Sequence, residues 1–231
     1  MFLAGCVSND LQQVKKIKSN DKIIVVSKFG NALPVKTVGL TAFQNEYFEL
    51  DIKGWKVNKY IEHRITEKLN KNYISISNRV IRDNIKTPKN DFLTGYPSPI
   101  TNKAALVEAQ KLNANYILVI SPISFPDVYF GTNQQIVGNG LYQRSGNVIQ
   151  YAQMSFNLFD AKTGGFIATN GTIGHKGGDS VWITNIGLGR NIFNSEADFP
   201  EVQLNKIKSN NEDLIDTLVD RSLDFMQFRV E

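Results

Sequence analysis

The stretch 147–171 constrains the fold more than any other part of the chain. From Tyr151 to Phe159, Ala152, Met154, Phe156 and Leu158 alternate with Gln153, Ser155 and Asn157. The first set therefore falls on one face and the second on the other, as in a half-buried strand. Asp160-Ala161-Lys162-Thr163-Gly164-Gly165 follows. An aspartate opening such a loop accepts hydrogen bonds from N–H groups two or three residues on, and a glycine near its end takes φ > 0 without a Cβ clash. The chain then returns through Phe166, Ile167 and Ala168, which makes a hairpin. Burying the large apolar side chains of its first strand contributes about 1.5–3 kcal/mol each. A two-stranded pair is marginal in water, so helices elsewhere in the chain must cover it.

Two amphipathic patterns answer that need. In 54–72, Val57, Tyr60, Ile61, Ile65 and Leu69 recur at helical spacing, and Glu62, Arg64, Glu67 and Lys68 are expected on the wet side. In 211–228, Leu214, Ile215, Leu218, Val219, Phe225 and Met226 form one stripe, a C-terminal helix that should dock on the sheet. Thr101 is the expected N-cap of a further helix through Ala105, Leu106, Ala109 and Leu112, stopped at Asn113. Strands are expected at 22–29, around the apolar run Ile23-Ile24-Val25-Val26, at 73–77 and at 114–120. The segment 35–52 allows one or two more, with Gly39 and Asn45 as interruptions, and Val181-Trp182-Ile183 reads as a short strand. Loop is expected between 78 and 100, where Thr87-Pro88 and Tyr96-Pro97-Ser98-Pro99 punctuate the chain. This order predicts an α+β fold, a mixed β-sheet with helices packed against it. At 231 residues and 42% hydrophobic content, one mixed α/β domain over 22–231 is expected, with inserted loops near 30–56 and 127–147.

The amino-terminal residues carry a cellular address. The only cysteine is Cys6, in Leu3-Ala4-Gly5-Cys6, ahead of a polar segment, 9–21, that reads as a tether holding at most a short helix through Leu11 and Val14. The four residues resemble a bacterial lipobox, in which small residues before the cysteine let the signal peptidase approach. The charged and apolar regions that such a signal needs would lie upstream of Met1; either the start codon lies earlier or the numbered chain is a truncated product. The resemblance implies that Cys6 becomes the acylated first residue, carrying palmitate-type chains into membrane lipid at about 0.8 kcal/mol per buried CH₂. Val7 stands where an aspartate would retain such a protein in the inner membrane, so the implied address is the outer membrane, periplasmic face. A lone thiol excludes an intrachain disulfide framework and a multi-cysteine zinc site.

A second resemblance rests on longer pieces. The Lys22-Ile23-Ile24-Val25-Val26-Ser27-Lys28-Phe29 strand precedes a helix ending Ile65-Thr66-Glu67-Lys68-Leu69; later come Leu112-Asn113-Ala114-Asn115-Tyr116-Ile117-Leu118-Val119 and the Asp160-x-x-Thr163-Gly164 turn. Over roughly 22–226 this is similar to a group of periplasmic α/β domains. The group includes the curli secretion channel lipoprotein, the lipoprotein activator of a penicillin-binding protein, the amino-terminal domain of the Tol-system translocation protein B and a flagellar T-ring protein. The resemblance implies a non-enzymatic role: a tethered domain that binds another envelope protein or assembles as a homo-oligomer or ring. A secretion-pore subunit is the rival within that group. It needs strand segments of about 9–11 residues with a lipid-facing apolar set, and 127–147 does not alternate in that way.

The net charge of +4 is spread along the chain, with Lys15-Lys16-Ile17-Lys18 as its one tight basic run. No nucleic-acid partner is expected from so small a footprint. No run of about 18 apolar residues marks a membrane-spanning helix. His63 and His175 are the only histidines; His175 precedes Asp179 in a glycine-rich segment. A soluble hydrolase or ligand-binding protein using that pair is the rival of a different class, but no nucleophile elbow or metal-ligand spacing accompanies it. No catalytic residue, metal or cofactor is therefore expected. The glycine runs Gly138-Asn139-Gly140 and Gly187-Leu188-Gly189-Arg190 complete no phosphate-binding motif and read as loops. Tyr129, Phe130, Tyr142 and Trp182 flank them, either packing the insertion down or forming a partner-binding patch.

Overall fold

The computed structural model describes residue 14, then 16–39, 41, 44–88, 97–170, 183–190 and 193–228. The chain runs β1 (Lys22–Ser27), β2 (Ala32–Val38), β3 (Glu46–Asp51), α1 (Val57–Leu69), β4 (Ile74–Ser77), α2 (Arg79–Asn84), α3 (Lys103–Lys111), β5 (Tyr116–Pro122) and β6 (Ser124–Pro126). It continues through β7 (Gln135–Val137), β8 (Asn139–Arg144), β9 (Asn147–Asp160), β10 (Phe166–Thr169), β11 (Ile183–Arg190) and α4 (Glu201–Phe225). The mixed sheet and the covering carboxy-terminal helix are those the sequence predicts.

β9 is the spine. Its 14 residues carry two sets of neighbours: β8 and β11 pair the first half, and β5 and β10 pair the second. The main sheet is ordered β3-β2-β8-β9-β5-β1-β4, with β10 and β11 also on β9. β1 lies parallel to both β4 and β5, and β2 lies parallel to β8 and antiparallel to β3. β5 and β8 follow one another along β9, so the chain between them, with the small β6–β7 ladder, is an excursion from one continuous pairing line.

The turn after β9 forms as expected. Asp160 Oδ1 accepts from the amides of Lys162 at 3.0 Å and Thr163 at 2.7 Å, and Gly164 sits at φ +73°. The expectation of a half-buried strand is corrected: Gln150, Gln153 and Asn157 are as buried as the apolar set. A strand in the middle of a sheet covered on both sides has no wet face. One side of the sheet packs Ile23, Val25, Leu118, Ile120, Phe156 and Leu158 against α1 and α4. The other packs Ile24, Val26, Ile117, Val119 and Phe159 against α2, α3 and their flanks. The layers are therefore helix, sheet, helix over β1, β4 and β5.

α4 is longer than the predicted 211–228 helix, starting at Glu201 after Pro200 and running 25 residues. It is also tied down by polar groups. Asn139 Nδ2 donates to Asn211 Oδ1 at 2.9 Å, Gln150 Nε2 to the Ile207 carbonyl at 2.7 Å, and Asn170 Nδ2 to Ser222 Oγ at 2.8 Å. These groups are buried, and such groups need partners.

Several expectations are overturned. The inserted loop near 30–56 is mostly the β2–β3 hairpin, in keeping with the one or two strands that 35–52 allows, and its Leu33, Val35 and Leu50 enter the core. The inserted loop near 127–147 contains β7 and the buried strand β8. Gly140 reads as a loop residue but is needed in β8, because a Cβ there would lie 2.7 Å from the Pro34 carbonyl oxygen. The stretch after β4 holds the short helix α2, capped by Asn78 Oδ1 on the Ile81 amide. The cap of α3 is Asn102 rather than Thr101, and Asn113 stops the helix at φ +52° as expected. The tether ends sooner than 21, since Val14 and Ile17 are buried in the main core. Gly187-Leu188-Gly189-Arg190 lies on β11, with a bulge between the two glycines, rather than in a loop.

Candidate functional site

The excursion between β5 and β8 places Tyr129 and Phe130 against Tyr151 and Tyr142, over the sheet face opposite α4. Asp127 organises it. Its Oδ1 accepts from the amides of Tyr129 (2.8 Å) and Phe130 (3.0 Å), and its Oδ2 from the Thr132 amide (2.8 Å), the Thr132 hydroxyl (2.7 Å) and the Tyr142 hydroxyl (3.0 Å). Burial alone would raise this carboxyl. The hydrogen bonds from Phe130, Thr132 and Tyr129 together outweigh it and hold the group below its ordinary range. Arg144 clamps the same loop by donating to the Phe130 carbonyl at 2.6 Å.

The ring contacts follow from this loop. Phe130 lies 5.3 Å from Tyr142 and Tyr129 6.2 Å from Tyr151, centroid to centroid, with Val38 and Ile136 completing the cluster. Gln153 locks the underside once its side-chain amide is assigned with the nitrogen, rather than the oxygen, facing the Ile136 and Ile123 carbonyls at 3.1 and 3.2 Å. Burial pushes the Tyr142 phenol up to about 12.

The four predicted aromatics divide. Tyr142 is fully buried and serves as a footing for the loop, so it offers nothing to a partner. Tyr129 and Phe130 are partly exposed at the rim, and Trp182 lies outside the described residues. The apolar groups most open to solvent on this side are Val128 at 60%, Val137 at 48% and Tyr47 at 61%. Tyr47 shares the sheet face with Tyr142, because both sit opposite Lys36 in the register. Sequence reasoning missed these three: a valine in a Gly/Asn-rich stretch carries no periodicity, and Tyr47 is placed only by the β2–β3 register. Together with Tyr129 and Phe130 they form a discontinuous apolar rim around a hydrogen-bonded loop.

Of the remaining candidates, the lipobox-like Leu3, Ala4, Gly5 and Cys6 and the pair His175 and Asp179 lie outside the described residues. His63 is exposed on α1. Glu62, expected beside it on the wet side, is 3% exposed. Its Oε1 accepts the Ser27 amide at 2.9 Å, and both oxygens accept from Arg82. Burial pushes this carboxyl above the ordinary range, with the Ser27 amide and Arg82 acting against it. Among the described residues no group of His, Cys, Asp and Glu side chains converges to hold a metal ion, and no helix is long and apolar enough to cross a membrane.

No family model matches the chain, and no curated protein matches it. Among solved structures, a PelC dodecamer from Paraburkholderia phytofirmans is similar at 10% identity and TM-score 0.31, over 87% of this chain and 90% of that one. The LpoB C-terminal domain from Salmonella enterica is similar at 10% identity and TM-score 0.27, over 79% and 94%. A lipoprotein from Neisseria meningitidis is similar at 11% identity and TM-score 0.32, over 82% and 99%. Likeness at these values does not carry an activity or a partner across.

Proposed function

We propose that the chain is an envelope lipoprotein held by acylated Cys6 on the periplasmic face of the outer membrane, and that its α+β body binds an envelope protein without turning over a substrate. The observation that carries this reading is the placement of Leu3-Ala4-Gly5-Cys6 just ahead of a residue, Val14, that is already buried in the main core. From Cys6 to Val14 the chain spans at most about 29 Å when fully extended. A lipid on Cys6 would therefore hold a body that begins at Val14 close against the bilayer. We take 14–231 as that body and 1–13 as the tether. The rim of Val128, Val137, Tyr129 and Phe130 is the partner surface this reading assigns.

Membrane fractionation of cells expressing the full-length protein, wild type and Cys6→Ala, tests the anchor. The wild type is expected to sediment with outer membranes and the variant to be released by osmotic shock; equal sedimentation of both contradicts it. In intact cells, a photo-crosslinking residue at Val137 should trap a partner that the same residue at Val202, exposed on α4, does not.

A further inference from the structure

A crevice of about 810 Å³ opens at the carboxyl ends of β1 and β4. α1 lies on one face of these strands, while the chain leaving β4 enters α2 and α3 on the other. The crevice thus sits where the connections of a parallel sheet diverge to opposite faces, the position at which open α/β sheets bind ligands. Its volume is that of small-molecule sites, about 300–1,000 Å³.

Its floor is built and closed. Glu62 is held by the Ser27 amide and Arg82. Asn58 Oδ1 accepts from Ser27 Oγ at 2.8 Å and the Phe29 amide at 2.7 Å, while Nδ2 donates to the Phe29 carbonyl at 2.8 Å. With these groups committed to one another, the floor offers no free carboxylate as a base.

The rim is cationic. Lys53, Lys56, Lys59 and Arg79 line it and are exposed. Among the described residues no acidic side chain lies within ion-pair distance of the three lysines, and Arg79 shares Asp83 with Arg82. The lining holds five Lys and Arg side chains, these four and Arg82, against the two carboxylates Glu62 and Asp83. Three positive charges are left unmatched. The amino end of the 13-residue α1 borders the same space and has no side-chain cap, so its first-turn N–H groups add donors to those cations.

We propose that this crevice binds a small molecule bearing phosphate groups. A multiply charged anion matches the unpaired lysines. Arg79, whose exposed guanidinium meets Asp83 through Nε alone, supplies planar donors suited to phosphate oxygens, and the lysines supply point charges. The reading rests on the crevice alone and does not depend on the anchor or on the partner surface.

Sodium pyrophosphate titrated into the full chain by calorimetry is the test, with inorganic phosphate and phosphatidylcholine vesicles containing phosphatidylglycerol as parallel arms. Saturable binding of one pyrophosphate per chain is expected. It should weaken by about tenfold or more in Lys53→Ala/Lys59→Ala, equivalent to about 1.4 kcal/mol. It should stay unchanged in Lys103→Ala/Lys162→Ala, which removes the same charge outside the crevice. The substituted lysines are exposed, and matched thermal melts will show that the variants fold. Absence of saturable binding overturns the proposal, as does equal weakening in both double variants. Vesicle binding that Lys53→Ala/Lys59→Ala abolishes and pyrophosphate does not compete for overturns it in favour of a lipid surface.

Discussion

Asp127 and Glu62 are both buried carboxylates with full hydrogen-bond complements, yet their environments push them in opposite directions. Asp127 is bonded by amides and hydroxyls that favour its charged form, and it is held below its ordinary value of 3.8. A group depressed in the folded state contributes stability that is present above its unfolded pKa and is lost as pH falls through the folded one. The aromatic loop should therefore loosen below about pH 4, the unfolded carboxylate range. Asp127→Asn should cost about 1–3 kcal/mol at pH 7, because it leaves buried donors without an acceptor, and should flatten the acid limb. Urea midpoints measured between pH 3 and 7 on both proteins check this; parallel acid limbs contradict it. For Glu62 the partner matters most. Arg82→Ala leaves a carboxylate that is 3% exposed without its cation, and should lower stability by about 3 kcal/mol or more in the same assay. By contrast, Arg64→Ala removes the partly exposed pair with Asp216 and should cost about 1 kcal/mol or less.

At the scale of elements, the β9–β10 hairpin is sensitive to a single methyl group. Gly164 lies at φ +73°, and a Cβ there would stand 2.1 Å from the Ile100 carbonyl oxygen. Gly146, in the β8–β9 turn at φ +80°, has open space around it. Gly146→Ala should then cost about 1 kcal/mol, from backbone strain alone. Gly164→Ala should cost clearly more, because backbone must move; equal denaturation midpoints for the two variants would contradict this account. This hairpin was legible in the sequence because its alternation, Asp160 cap and Gly164 turn are all local. β2 and β8 were not. Pro34 and Gly140 are residues that ordinarily break strands; here Pro34 precedes the β2–β8 register, which begins at Val35, and Gly140 lets the two backbones approach one another closely. Glu62 was misread for a related reason: its neighbours on α1 do not reveal that Arg82, on a different helix, closes over it. The partner rim was only half legible, since Tyr129 and Phe130 announce themselves by type whereas Val128, Val137 and Tyr47 are exposed by topology.

The whole molecule is a long central strand with paired lines on either half, helices on both faces of β1, β4 and β5, and an aromatic loop over the face of the remaining strands away from α4. Its two candidate surfaces lie on different elements. The apolar rim belongs to the β5–β8 excursion, and the basic crevice lies between α1 and α2. The account joins this body to a membrane through Cys6, and lipid attachment at that residue is its central claim. Metabolic labelling of the full-length protein with a clickable fatty acid, wild type beside Cys6→Ala, measures it directly. The account predicts label on the wild type and none on the variant; equal labelling of the two, or none on either, would contradict it.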